Sequence, residues 1–258
     1  MRISVLDHGY VEFIEAWGHG KDGSDLSIGY DKNDEYFANL EEDMEVGMVE
    51  AARQSTQGSF RGWEAGEDHP GDAKLLARLF KKRHTSPFEF AGMTIEVQAP
   101  IMVFREWHRH RTQSYNEMSA RYSPLPDVNY VPDPDRCIIV PGSTTNRQAL
   151  GTTDRVPTHA EVLDWLEHYL EPAYQAGQRA YAKGLDIGVP KEVARLPVAV
   201  GRYSRMRATA LLNNWLKFLT LRMDADAQLE IRLFANAVGQ IIAQQFPRTW
   251  ALFEASRA

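Results

Sequence analysis

The sequence predicts an α+β protein in which a small mixed or antiparallel sheet packs with long helices. The segment Gly92–Pro100 alternates apolar and polar residues, as a strand with one buried face does. Residues 159–182 and 226–246 instead place apolar residues at helical spacing. With 258 residues, of which 43% are hydrophobic, the chain can form a single domain over 1–258 with a substantial core.

The N-terminal half is predicted to alternate short strands with helices. Two short strands flank His8 and Gly9 in a hairpin-like arrangement. A polar, glycine-rich loop precedes a helix over 34–54, which Asn33 or Asp34 can cap. A second helix is predicted over 70–84. After the strand at Gly92–Pro100, a third helix is predicted over 101–111, with Pro100 at its start.

The C-terminal half is predicted to be mostly helical. Prolines and turn pairs make 123–158 an irregular loop around one short strand, and Cys137 lies there in an apolar, strand-like run. Pro172 is expected to kink the helix over 159–182. A further helix begins at Pro190. The remaining predicted elements are a strand over 203–212 and helices over 213–222 and 226–246.

Composition and charge exclude several classes of function. The formal net charge of −6 argues against a basic nucleic-acid-binding surface, and no apolar run has the roughly 18 residues of a membrane-spanning helix. The N-terminal residues lack the order of a signal peptide, so a cytoplasmic location is expected. Because Cys137 is the single cysteine, an internal disulfide framework and a cysteine-based zinc site are excluded. No metal site is expected, since His108 and His110 are two positions apart and no HExxH pattern accompanies them.

Positive charge is concentrated in the segment WHRHRTQSYNEMSARYS, residues 107–123. Arginine suits phosphate because its planar fork donates two parallel hydrogen bonds. Arg109 and Arg111 are two positions apart and cannot share one helix face, but a turn after the helix could aim both into one cleft. The mixture with hydroxyl and carboxylate groups favours a nucleotide pocket; an ordinary helix end with surface ion pairs is the alternative.

The run RHRTQSYNEMSARY, residues 109–122, resembles the signature of flavin-dependent thymidylate synthases, R-H-R, two residues, S-x-N-E-x-S-x-R-Y. Other segments are similar to that family at AARQS (51–55), HTSPFEF (84–90), KEVAR (191–195) and LRMDADAQLEIR (221–232). The resemblance implies a homotetramer with active sites shared between subunits and FAD as cofactor. It also implies NADPH as reductant, methylenetetrahydrofolate as carbon donor and a uridine monophosphate as the substrate methylated at C5.

The resemblance also implies roles for individual residues. Arg222 matches the catalytic arginine that polarises the uracil. The matching nucleotide-binding positions are Glu106, Arg109, Glu117, Ser119, Ala120, Arg121, Arg195 and Arg222. The positions that match flavin contacts, or stand where the family has them, are Ser55, His84, Ser86, Glu89, Arg109, His110, Arg111, Glu117, Asn213 and Lys217.

The chain departs from the family pattern in three places. Glu106 replaces a glutamine beside the nucleotide, and repulsion from phosphate predicts that this carboxylate points toward ribose or an arginine. Leu211, Asn213 and Lys217 replace polar positions that usually contact the flavin. Residues 20–48 form an apparent loop or helix insertion.

These departures leave the substrate open between dUMP alone, UMP or both, and a hydroxymethylated uridylate. A relative that binds flavin and nucleotide but catalyses no reaction is the alternative to an enzyme. A single-stranded nucleic-acid binder that stacks bases on Tyr115 and Tyr122 is a third, which the acidic charge disfavours.

Overall fold

A five-stranded antiparallel sheet packs against helices on one face. The computed structural model describes residues 1–18, 43–56, 58–67, 69–139, 149–151, 153 and 155–257. The sheet has the order β1-β2-β3-β5-β4. Its strands are β1 (Arg2–Val5), β2 (Gly9–Trp17), β3 (Gly92–Pro100), β4 (Ser114–Glu117) and β5 (Tyr203–Leu211). The α+β prediction is therefore confirmed, with an antiparallel sheet.

The helices lie mainly in the C-terminal half. They are α1 (Val46–Arg53), α2 (Asp72–Lys81), α3 (Ile101–Trp107), α4 (His159–Trp165), α5 (Glu171–Asp186), α6 (Lys191–Ala194), α7 (Leu212–Arg222), α8 (Leu229–Gln245) and α9 (Pro247–Ala255). Short 3-10 turns cover Gln54–Thr56, Ser86–Glu89 and Pro134–Cys137. In the described parts of the chain, no helix combines the length and the apolar character needed to cross a membrane.

The strongest periodic patterns are confirmed. On β3, the side chains of Met93, Ile95 and Val97 are fully buried, while the residues between them are partly exposed. These buried residues face α7 and α8, which contribute Trp215, Phe218 and further apolar side chains to the same core. The central pair β3–β5 is in register over its whole length, from Gly92 opposite Leu211 to Pro100 opposite Tyr203. The core therefore holds α7 directly beneath the centre of the sheet.

Other predictions need correction. Of the helix predicted over 34–54, Val46–Arg53 is helical and residues 43–45 are not, while residues 34–42 and the predicted cap lie outside the described residues. The 20–48 insertion also falls largely on residues 19–42, which are not described. Cys137 ends a 3-10 turn rather than lying in a strand, and its side chain is only partly buried. At Pro172 the predicted irregularity takes the form of a π-helical turn, Leu166–Leu170, between α4 and α5.

The start of α9 is capped by a carboxylate from a distant part of the chain. Glu45, immediately before α1, is fully buried, and its carboxylate accepts hydrogen bonds from the backbone N–H of Thr249 (2.6 Å) and of Arg248 (3.0 Å). The Arg248 guanidinium also donates to Glu45 (3.1 Å) and to Asp43 (2.9 Å). Glu45 therefore satisfies first-turn donors that the helix itself leaves unpaired, and it fixes α1 against α9.

Replacing Glu45 with alanine is expected to lower the free energy of unfolding by about 3 kcal/mol. The reason is that Arg248 and two backbone N–H groups would lose their buried acceptor. Urea unfolding at neutral pH measures the loss. Glu254→Ala, at an exposed position of α9, the helix that Glu45 caps, is the matched control. A loss below about 1 kcal/mol for Glu45→Ala would contradict this role.

Candidate functional site

Trp107 and Tyr115 shape the turn that carries the first residues of the signature. The Trp107 ring is fully buried, and it stacks on Phe218 of α7 with ring centroids 4.5 Å apart. The Tyr115 hydroxyl donates to the carbonyls of His110 (2.6 Å) and Trp107 (3.2 Å). Burial raises the pKa of Tyr115 to about 12, so this hydroxyl keeps its proton at neutral pH. The end of α3 and the start of β4 are thereby tied together.

Arg222, the last residue of α7, is held by two residues from the other side of this turn. Its Nη1 donates to the Glu106 carboxylate (2.8 Å), its Nη2 to the Glu106 carbonyl (2.9 Å) and its Nε to His110 Nε2 (2.8 Å). The Arg222 side chain is 16% exposed, whereas that of Glu106 is 43% exposed. The guanidinium is therefore fixed in orientation at a cleft surface. The prediction that Glu106 points toward an arginine is confirmed.

His110 can serve as this acceptor only when its ring is neutral. Burial, together with the positive charge of Arg222, lowers the pKa of His110 from 6.5 to about 4, although Glu106 acts in the opposite direction. At neutral pH the imidazole is uncharged. Because Nε2 accepts from Arg222, the proton lies on Nδ1. The His110 ring also packs edge-on against Phe218, one helical turn before Arg222 on α7.

An open cleft of about 670 Å³, called here the Arg222 cleft, is lined by Arg105, Glu106, His108, Arg109 and Arg222. This volume lies within the range of small-molecule sites. The structure thus brings together three of the predicted nucleotide-binding residues. Arg111 is exposed and is not among the residues that line the cleft, so the expectation that Arg109 and Arg111 enter one cleft together is wrong.

A second group contains the C-terminal end of the signature. A smaller cleft of about 290 Å³ is lined by Arg121, Tyr122, Pro190, Lys191 and Glu192. Arg121 forms an exposed ion pair with Glu192 (3.5 Å), and the Lys191 ammonium donates to the Tyr122 carbonyl (2.9 Å).

The other predicted nucleotide-binding residues are within a few sequence positions of the residues that line this cleft. The Ser119 hydroxyl accepts from the Arg121 N–H, Ala120 is buried, and Arg195 directly follows α6. Glu117 ends β4, opposite Met206 of β5. Within the described residues, no hydrogen bond or ion pair joins this second group to the Arg222 cleft.

Of the predicted flavin-binding residues, Arg109 lines the Arg222 cleft and His110 binds Arg222, whereas a third group lies toward the opposite end of α7. This third group consists of Ser55, His84, Ser86, Glu89, Asn213 and Lys217. Asn213 is buried there and donates to the Glu89 carboxylate (3.4 Å). Lys217 lies one turn further along α7 and is exposed. The turn Ser86–Glu89 contacts both α1 and α7, while Ser55 follows α1 and His84 precedes the turn. About 14 Å of helix separates Asn213 from Arg222, so α7 carries residues of two groups.

Sequence reasoning missed two residues of the Arg222 cleft. Arg105 and His108 line it but matched no assigned position. Arg105 lies four residues before Arg109, a spacing that places both on one side of a helical turn and that could have identified it. The His108 ring is held between Phe104 and Tyr115, and its Nε2 contacts the Met206 sulfur at 3.2 Å. No sequence signal predicts that contact.

Comparison with solved structures gives extensive similarity to one enzyme. The crystal structure of a UMP/dUMP methylase, PolB from Streptomyces cacaoi, bound with 5-Br dUMP, is similar with a TM-score of 0.72 and 28% identity, covering 98% of this chain and 97% of that chain. The same enzyme bound with 5-Br UMP gives a TM-score of 0.70 and 25% identity.

Sequence comparison identifies the family. A family model described as thymidylate synthase complementing protein matches residues 38–248. The flavin-dependent thymidylate synthase of Thermotoga neapolitana is 33% identical over 253 residues, covering 98% of this chain and 94% of that relative. The Thermus thermophilus enzyme of the same name is 35% identical over 254 residues, covering 98% and 78%. The chain belongs to the family of flavin-dependent thymidylate synthases.

Proposed function

We propose that the protein transfers a one-carbon unit from methylenetetrahydrofolate to C5 of a uridine monophosphate and reduces it to a methyl group, with NADPH as the reductant. Two nucleotides are proposed as alternative substrates, dUMP and UMP. The observation that carries the proposal is the fixed guanidinium of Arg222 at the surface of a cleft, in a chain of this family.

The chemical task of Arg222 is to stabilise negative charge on the uracil. A guanidinium has five N–H donors, and three are used by Glu106 and His110, which leaves two for a ligand. Donors held in advance of binding stabilise charge that develops on a uracil oxygen without a cost of reorganisation. Neutral His110 supports this task, because a protonated imidazole would repel Arg222.

The third group of residues fits a flavin dinucleotide. Asn213 is nine-tenths buried, and its contact with Glu89 is long at 3.4 Å, so its amide can also bind a ligand. Exposed hydroxyl, imidazole and ammonium groups around it match the polar and diphosphate parts of such a cofactor; they belong to Ser55, His84, Ser86 and Lys217. These residues would hold the cofactor against α7. When bound, the flavin supplies the reducing equivalents that complete the methyl group.

Glu106 supports the proposal of UMP as a second substrate. One carboxylate oxygen accepts from Arg222, whereas Oε1 accepts no hydrogen bond within the described residues. That oxygen lies on a side chain that lines the cleft, so it can accept from a ribose 2′-hydroxyl. A carboxylate beside a monophosphate substrate would otherwise be unfavourable. The similarity to an enzyme described as a UMP/dUMP methylase supports the same choice.

A homotetramer with shared active sites is part of the proposal. The predicted nucleotide-binding residues of one chain divide between two clefts that no hydrogen bond or ion pair joins within the described residues. Large apolar side chains are also exposed between residues 163 and 200; among them are Leu163, Trp165, Tyr169, Ile187, Val193 and Leu196. Trp165 and Tyr169 are among the apolar residues at helical spacing in 159–182. Further copies of the chain would cover these side chains and complete the site.

Turnover assays test the substrate proposal. The protein is supplied with FAD, NADPH, methylenetetrahydrofolate and either dUMP or UMP under anaerobic conditions, and products are identified by mass. Methylated products are expected from both nucleotides. Glu106→Gln is expected to lower the preference for UMP over dUMP by roughly tenfold, because a weaker acceptor replaces the carboxylate.

Glu117→Gln is the matched control for that assay, since Glu117 is the other carboxylate of the predicted nucleotide site. It should leave the UMP preference unchanged. Absence of product from UMP would contradict the ribonucleotide part of the proposal, and absence from both nucleotides would contradict the activity.

Replacement of Arg222 with lysine is expected to lower kcat by about 10²–10³. Lysine keeps the positive charge but cannot bind Glu106 and His110 while also donating to the uracil. Arg257→Lys is the matched control, because Arg257 contacts the Met223 carbonyl at the same end of α7 without lining the Arg222 cleft. Thermal unfolding checks that both variants fold. A loss in kcat of less than about tenfold for Arg222→Lys would exclude a catalytic role.

A further inference from the structure

Arg105 lines the Arg222 cleft and has no role in the proposed chemistry so far. Its side chain is exposed on the last turn of α3. It forms no ion pair or hydrogen bond with another side chain in the part of the chain that the structure describes. Arg109, four residues later, lines the same cleft and is likewise unpaired there. The two guanidinium groups therefore face one cleft without a described protein counter-charge.

The Arg222 cleft carries an excess of positive charge among the described residues. The ion pair of Glu106 with Arg222 compensates one positive charge at 2.8 Å. Arg105 and Arg109 leave two positive charges in a volume of about 670 Å³. Arg105 lies in the last turn of α3 and Arg109 in the turn that follows, so their like charges repel each other, and an anion bound between them would remove that repulsion. A cation in the last turn of a helix interacts favourably with the helix dipole. That interaction accounts for an arginine at this position of α3, but it does not require the side chain to face a cleft.

We propose that Arg105 binds the anionic part of a co-substrate as it enters the Arg222 cleft. The inference rests on the proposed function, which requires the reductant and the folate to reach this site in turn. Arg121, which the family resemblance assigns to the nucleotide, lines a separate cleft, and Asn213 and Lys217, which would hold the flavin, lie further toward the start of α7. The anionic groups of the two co-substrates are the phosphates of the dinucleotide reductant and the carboxylates of the folate tail. Both are planar or forked oxygen pairs that a guanidinium binds through two hydrogen bonds.

Equilibrium binding to Arg105→Gln holoenzyme tests this assignment. The probes are NADP⁺, NAD⁺, dUMP, and 5-formyltetrahydrofolate with one or three glutamates, each titrated by calorimetry. The dissociation constant for either NADP⁺ or the folate is expected to rise roughly ten- to hundredfold, as the loss of a charged, bidentate contact predicts. The dissociation constant for dUMP is expected to stay at the wild-type value.

Arg78→Gln is the matched control because Arg78 also lies in the last turn of a helix, α2, is exposed, and does not line the cleft. It removes the same helix-end charge, so thermal unfolding should change equally in the two variants. Ligand affinity should fall only in Arg105→Gln. An equal fall in both variants would assign the effect to the charge of the whole protein and overturn the proposal.

The separate probes identify the source of the anion. A larger loss for NADP⁺ than for NAD⁺ places Arg105 at the 2′-phosphate, and an equal loss for both places it at the diphosphate. A loss confined to the folate, and larger with three glutamates, places it at the folate tail. Wild-type affinities for all co-substrates, a loss confined to dUMP, or wild-type protein that binds neither co-substrate would overturn the proposal. Because binding is measured without turnover, co-substrate binding by a protein that methylates no nucleotide contradicts the proposed function alone.

Discussion

The three hydrogen bonds of Arg222 are the contacts on which the candidate site depends. They join the end of α7 to the turn after α3, two segments that are more than a hundred residues apart in sequence. A guanidinium at the end of a flexible side chain would otherwise sample many rotamers, and fixing it costs conformational entropy. Glu106 and His110 offset that cost before a ligand binds. Such preorganisation is the property that electrostatic catalysis requires.

The core behind Arg222 makes these contacts possible. Phe218 lies one turn before Arg222 on α7, and its ring packs against both Trp107 and His110. The Tyr115 hydroxyl fixes the carbonyls on the other side of the same turn. Because aromatic rings pack in a few preferred geometries, a shift of α7 would disturb all of these contacts together. The turn that carries His110 is therefore held by the core, and the site is as rigid as the core beneath it.

The predictable parts of the fold were those with a strong hydrophobic period. β3 was predicted with the same bounds that the structure has, and β5 and α7 to within one residue, because their buried positions repeat at two or near 3.6 residues. β4 was missed because its sequence, SYNE, has no apolar alternation and forms a strand by pairing with β5. The non-helical conformation of residues 43–45, just before α1, was missed because Glu45 caps a helix more than two hundred residues away, a contact with no local signal.

The candidate site was predictable as a set of residues but not as an arrangement. The signature and the segments that resemble the family named Arg222, Glu106, Arg109 and His110, and charge repulsion predicted that Glu106 points toward ribose or an arginine, of which the structure shows the arginine. The division of the other residues between separate clefts depends on where α6 and α7 lie in the fold, and no sequence spacing reports this. Arg105 lies outside the signature, and its position at the cleft depends on the turn after α3 that carries Arg109.

The position of the uracil relative to Arg222 tests the account most directly. The measurement is a crystal structure of the protein with FAD and 5-bromo-dUMP. The account predicts that a guanidinium nitrogen of Arg222 lies about 3 Å from a uracil oxygen while the hydrogen bonds to Glu106 and His110 are kept. A uracil bound with no oxygen within about 3.5 Å of that guanidinium would contradict the role assigned to Arg222.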